Sequence, residues 1–170
     1  MARGDAVEEL LAQQEIRDVL ARFCRGVDRG DVELVRSCYH ADAYDDHGSY
    51  KGDVDGLCEA VHALVRHTVR TQHTLGQTLV ELDGEAATAE SYVTAHHRLP
   101  ARDGRPESDL FVGARYLDRF ERREGEWRIA RRGVVHSWSR RVEAAPPWPG
   151  ADAILQSGRG VDDPLQALLA

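Results

Sequence analysis

A chain of 170 residues has the size of one domain around one core. Its 42% hydrophobic share is ordinary for a globular protein, and no apolar run approaches the roughly 20 residues needed to cross a bilayer, so no membrane span is expected. A net charge of −7, from 22 basic and 29 acidic residues, lacks the clustered basic excess of a nucleic-acid binder, and nucleic acid is excluded as a partner.

The N-terminal stretch Met1 to Glu9 has no apolar signal core, which makes a cytoplasmic location the expectation. The first helix is predicted to start at a capping box, Asp5 with Glu8, each side chain satisfying the other's free amide. Ile16, Val19, Leu20, Phe23 and Val27 then recur at helical spacing as one apolar stripe. Asp28 lies at the edge of that stripe, four residues after Cys24, and the helix stops near Gly30. Asp31 caps a second short helix, Val32 to Cys38, and a short strand follows from Ala43 to His47. Beyond Gly48 and the Tyr50-Lys51-Gly52 corner, Asp53 caps a third helix with Leu57, Val61, Leu64, Val65 and Thr68 on one side.

After residue 70 the pattern becomes that of strands. Thr71 to Leu82, the turn Asp83-Gly84 and Ala86 to Leu99 form a hairpin. A loop from Pro100 to Pro106 leads to Leu110–Arg122, where Leu110, Val112, Ala114, Tyr116 and Phe120 share one side. Glu124-Gly125-Glu126 turns the chain into a last strand, Trp127 to Ser139. The class is α+β: N-terminal helices packed on a curved, mostly antiparallel sheet. Residues 1–141 form the domain, and 142–170 form a tail expected to cover a pocket or a subunit interface, with a short helix near Asp162–Leu169.

Cys24, Cys38 and Cys58 form no CxxC and are odd in number, so they read as buried small hydrophobes. The arginines 119, 122, 123, 128, 131 and 132 alternate with acids and read as solvated strand faces with cross-strand pairs. His96 and His97 are adjacent on a strand and face opposite ways, while His62 and His67 are five apart on a helix, so neither pair chelates a metal. Phosphate loops, dinucleotide fingerprints and the Gly-x-Ser-x-Gly nucleophile motif are absent. Gly113 and Gly133 read as bends of a curved sheet.

One combination carries chemistry. A histidine is the natural general base at neutral pH, and a carboxylate behind it fixes its tautomer and stabilises the imidazolium. His73, at the head of the first long strand, and Asp28, at the end of the first helix, are the candidates for such a pair. The bland alternative is a capping Asp28 and a His73 bonded to backbone.

Several local patterns stand in a fixed order: Gly26-Val27-Asp28 then Asp31, Gly48-Ser49-Tyr50-Lys51-Gly52, Gln72-His73, Ala95-His96-His97-Arg98, and Tyr116-Leu117-Asp118-Arg119-Phe120-Glu121 leading to Gly125-Glu126-Trp127. With the element order, they resemble the SnoaL-like branch of the nuclear transport factor 2-like superfamily, over roughly residues 8–140. That branch contains scytalone dehydratase, hexachlorocyclohexane dehydrochlorinase and bile acid 7α-dehydratase. The resemblance implies a cone-shaped α+β barrel, a cofactor-free elimination or isomerisation, and an Asp–His dyad falling on Asp28 and His73. It implies a small hydrophobic, ring-type substrate such as a polyketide or steroid-like compound, and a homo-oligomer, trimer or dimer. A second histidine on the following strand falls on His96 by motif, whereas the apolar alternation of that strand would turn His97 inward; a bulge would reconcile the two. His47 stands near the position of a carbonyl-polarising tyrosine, and Tyr44 and Tyr116 are further candidates to line the cavity. Other tyrosine, serine and asparagine positions of scytalone dehydratase fall on Val27, Ala114 and Tyr116, so scytalone itself is not the expected substrate. The rival readings are a binding or assembly module on the same fold, and a different chemistry in which an acid takes the place of the histidine base.

Overall fold

The computed structural model describes residues 3–169. The element order is α1 (Arg3–Arg29), α2 (Val32–Ser37), β1 (Tyr39–Asp46), β2 (Lys51–Gly52), α3 (Val54–His67), β3 (Arg70–Asp83), β4 (Ala86–Leu99), β5 (Ser108–Arg123), β6 (Glu126–Glu143) and a one-turn helix α4 (Gln166–Leu169). α1 already runs at Arg3, so Asp5 stands inside the helix rather than at its start; the Asp5 side chain lies outside the described residues. The predicted stripe of α1 is the core face: Ile16, Val19, Leu20, Phe23 and Val27 are all buried.

Two short devices fix the helix ends. Gly30 takes a left-handed φ of 67° after α1, and the amides of Gly30 and Asp31 bond the carbonyls of Val27 and Gly26 at 3.3 and 2.9 Å. That is a Schellman ending, which glycine permits at no steric cost. Asp31 and Asp53 then cap α2 and α3, accepting from the amides of Leu34 and Gly56 at 3.0 and 2.9 Å.

The six strands form one open sheet in the order β2-β1-β6-β5-β4-β3. The four long strands pair antiparallel in sequence order, while β1 runs parallel to β6. β1 is longer than predicted because it starts at Tyr39, which is buried. The sheet wraps the N-terminal helices as an open cone whose inner face and α1 share the core.

Of the sheet's four register shifts, one lies between Tyr39 and Tyr44 in β1 and the other three set which side chains of the long strands face inward. One at Gly76–Gln77 in β3 lets both Leu75 and Thr78 pair inward with Val93 and Ser91. Two in β6 fall at Ala130 and Ser137, opposite β5. The first reverses the alternation after Ile129, so that Arg132 is fully buried although Ile129 is too. Arg132 is therefore no solvated strand residue, unlike Arg119, Arg122, Arg123 and Arg128, which pair with Glu121, Glu85, Asp42 and Glu126 at the surface. All three cysteines are buried, and burial pushes the Cys24 thiol up to about 12.

Candidate active site

Asp28 sits in the last turn of α1, so the Schellman ending fixes where its side chain emerges. β3 is an edge strand, and an edge strand has backbone amides that no neighbour takes. The His73 amide is one of these, and it donates to Asp28 Oδ2 at 2.9 Å. The His73 ring lies on the same carboxylate, Nδ1 to Oδ1 at 2.6 Å. Both groups are largely shielded, the His73 side chain 9% and that of Asp28 19% exposed. A carboxylate only accepts, so in the neutral ring His73 Nδ1 carries the hydrogen and Nε2 the lone pair. The inner position opposite His73 on β4 is Ala95.

β4 pairs with β5 without a break from Ala86 to Leu99, so no bulge brings His96 inward. His97 occupies the inner position instead. Its ring meets that of His73 edge-on at 5.6 Å, and its Nδ1 faces Thr71 Oγ1 at 2.9 Å. Burial, reinforced by the neighbouring His73, lowers His97 to about 4. The expectation from motif that His96 enters the cone is corrected. His96 Nε2 bonds Asp109 Oδ1 at 2.7 Å on the outer face and stacks on Phe111 at 4.8 Å.

Deeper in the cone a second polar group surrounds Phe23. Tyr39 Oη donates to the fully buried Asp45 Oδ2 at 2.7 Å, and His47 Nδ1 bonds the other oxygen of that carboxylate. The His47 and Tyr116 rings are 6.0 Å apart. Burial raises the pKa of the Tyr116 hydroxyl, so it stays a neutral donor. Tyr44 is placed differently from expectation: it is exposed on the outside of β1 with the Arg131 guanidinium 5.1 Å from its ring centre.

Sequence reasoning missed the ion pair beneath this group. Arg132 donates from Nε and Nη2 to Asp118 at 2.7 and 2.8 Å, both side chains being 0% exposed. Its guanidinium stacks between Phe23 and Tyr116, 4.2 Å from each ring centre, and its Nη1 has no partner among the described residues. Burial pushes the Asp118 carboxyl up, and the two-point contact with it holds Arg132 charged. The available signal was Asp118, which alternation places on the apolar side of β5 between Tyr116 and Phe120 and which requires a buried cation.

A cavity of about 420 Å³ reaches Asp28 and Thr71 from the tail side and wraps the β3 edge, so that His96 touches its rim. The tail closes its far wall with Ser157, Gly158 and Arg159. Arg159 Nη1 donates to the carbonyls of Val65 and Thr68 at 2.7 and 3.0 Å, and Asp163 accepts from Arg29 Nε at 2.9 Å. Arg159 and Asp163 thus pin the tail to the ends of α3 and α1.

An open cone with a shielded carboxylate–imidazole pair at its mouth defines a small α+β domain of the nuclear transport factor 2-like type. The chain belongs to the SnoaL-like domain family, which matches residues 8–133. Among solved structures it is similar to a hexachlorocyclohexane dehydrochlorinase from Novosphingobium barchaimii LL02, at 18% identity over 84% of this chain and 99% of that one, TM-score 0.73. It is also similar to a putative scytalone dehydratase from Novosphingobium aromaticivorans DSM 12444, at 16% identity over 81% and 91% of the two chains, TM-score 0.70. A protein of unknown function from Mycobacterium tuberculosis shares 24% identity over 81% of this chain and 78% of that one, TM-score 0.70. These likenesses describe the fold. No curated protein matches the sequence.

Proposed function

We propose that the chain is a cofactor-independent lyase, a dehydratase or related eliminase, or an isomerase working by the same proton abstraction. The observation that carries this is the two-point hold of Asp28 on His73, at 2.9 Å to the amide and 2.6 Å to Nδ1, which leaves Nε2 as the ring nitrogen to act as base. In the elimination, Nε2 takes a proton from a carbon next to a carbonyl. The C–H electron pair forms the new double bond, the C–O bond on the next carbon breaks, and the proton returns from His73 to the departing oxygen as water. Asp28 stabilises the imidazolium in between. His97, whose ring meets that of His73 at 5.6 Å, is the group to hold a developing oxyanion, with His47 and Tyr116 as further hydrogen-bond donors deeper in the cone. The dehydrochlorinase and dehydratase relatives on this fold support the reaction class.

The compounds named for those two structures, hexachlorocyclohexane and scytalone, favour a hydrophobic ring compound. The tail acts as the cover of this site. Tyr92, Leu117 and Trp138, exposed together on the outer sheet face, favour a homo-oligomer. No helix among the described residues is long and apolar enough to cross a membrane.

The test is a panel of cyclic β-hydroxy and β-halo carbonyl compounds followed by absorbance of the conjugated product. Wild type is expected to convert at least one of them and His73→Ala none, with an unchanged circular dichroism spectrum. Conversion that survives in His73→Ala would overturn the base assignment.

A further inference from the structure

Thr71 and His97 are register partners across the β3–β4 ladder, and both point into the cone. Their side chains meet at 2.9 Å, Oγ1 to Nδ1. A neutral imidazole carries one N–H, so its tautomer decides whether Nε2 offers a hydrogen or a lone pair. His97 is neutral at pH 7, held down to about 4 by burial and by His73; the other charges that reach it are Asp28 and His96. His97 Nδ1 is the sole hydrogen-bond partner of the Thr71 hydroxyl among the described residues. If the hydroxyl donates to Nδ1, its proton is satisfied. If Nδ1–H donates instead, the half-buried hydroxyl proton is left without a protein partner among the described residues.

We infer that Thr71 is a positioning residue: its hydroxyl donates to His97 Nδ1 and holds that ring as the Nε2–H tautomer, a hydrogen-bond donor beside the His73 lone pair. The two rings then differ in role although they touch. Asp28 makes His73 a proton acceptor, and Thr71 makes His97 a donor that does not give up its proton. This rests on His73 being the base, and it narrows the substrate to a class: a carbon acid with its carbonyl oxygen on the neighbouring atom, an enolisable ketone or ester. His73 Nε2 takes the C–H proton, the electron pair moves into the enolate, and the oxygen bearing the charge accepts from His97 Nε2–H. The enolate then expels a leaving group from the β-carbon, or is reprotonated at another carbon.

The tautomers are read directly by long-range ¹H–¹⁵N correlation of the ring nitrogens in the full-length ¹⁵N-labelled protein. The expected wild-type pattern has His97 protonated at Nε2 with an unprotonated Nδ1, preserved in Thr71→Ser and lost or averaged in Thr71→Val. A wild-type His97 protonated at Nδ1, or a Thr71→Val spectrum with the wild-type pattern, overturns the proposal. His73→Asn should leave the His97 pattern intact, so a failed base assignment, read from turnover, stays distinct from a failed tautomer assignment. The probe for the substrate class is 4-nitrophenolate, whose oxygen resembles that of an enolate. It should bind wild type and Thr71→Ser alike and Thr71→Val about ten-fold more weakly, the loss of one charge-assisted bond. Equal binding to all three overturns the donor role, and no binding to wild type overturns the enolate-type ligand.

Discussion

Two carboxylate–imidazole pairs of nearly equal length lie on opposite faces of the same sheet. Inside, Asp28 meets His73 at 2.6 Å; outside, Asp109 meets His96 at 2.7 Å. Asp109 also accepts from Arg98 Nε at 2.6 Å and Nη2 at 3.1 Å, and that guanidinium holds its carboxyl below the usual carboxylate range. Asp28 has no guanidinium bonded to it among the described residues; its two oxygens go to the amide and the ring of one histidine. A carboxylate already neutralised by arginine adds little to the stability of an imidazolium, whereas an unneutralised one in a shielded site adds much. Contact distance alone therefore does not mark a functional pair. The competing charge marks it, together with the direction in which the free nitrogen points.

The sharpest way to break this contrast is to remove each histidine in turn. His73→Ala should lower kcat/KM on any converted substrate by at least about 100-fold, the lower range for a general base. His96→Ala should leave it within about two-fold. Steady-state kinetics on the two variants decides between them, and comparable losses would erase the distinction. The next effect is on stability. Asp118→Ala leaves the Arg132 guanidinium buried and unpaired, which should cost about 3 kcal/mol or more in a urea titration. That cation has no water to turn to, unlike Arg98, so an unchanged midpoint would mean that the pair is not ionised.

How much of this was legible in the sequence differs by face. The α1 stripe, the caps Asp31 and Asp53, the β3–β4 hairpin and the inward alternation of β4 all follow from periodicity, and the structure matches them. Alternation points to His97, where motif matching points to His96; β4 pairs without a break along β5, and its one register shift against β3 lies back at Gly76–Gln77, which makes alternation the better guide. The burial of Arg132 could not be read, because the register shift at Ala130 is visible only once β5 lies beside β6. Tyr44 was placed in the cavity while Tyr39 was passed over, since β1 begins earlier than its apolar pattern suggests. The contact between Asp28 and His73 spans 45 residues, and no local pattern encodes it.

A third measurement uses pH. His97 carries a proton less readily in the folded chain, about 4, than in the unfolded one, 6.5, chiefly because of burial. Between those values the unfolded state binds more protons, so stability should be full above pH 6.5 and fall as pH drops toward 4. The loss should be on the order of 2 kcal/mol, allowing for partial exposure of the ring. Urea midpoints at pH 7.5 and 4.5 measure it, and His97→Asn should flatten that part of the curve.

The smallest expected effect tests the outer pair from the other side. Arg98→Ala removes the cation that occupies Asp109 and leaves that carboxylate to His96 alone, a nearer electrostatic copy of Asp28 and His73. The cost in stability should be about 1 kcal/mol or less, as for other partly exposed pairs. Asp109 then keeps only the His96 contact to depress its pKa, so the stability it contributes above the unfolded carboxylate pKa, and loses as pH falls below it, should be smaller than in wild type. Turnover should still vanish with His73→Ala in the Arg98→Ala background. If the double variant regained activity, the charge environment alone would define the site. If it stays inactive, position within the cone matters equally, because His96 stacks on Phe111 outside, where no Tyr116 hydroxyl or second imidazole faces it.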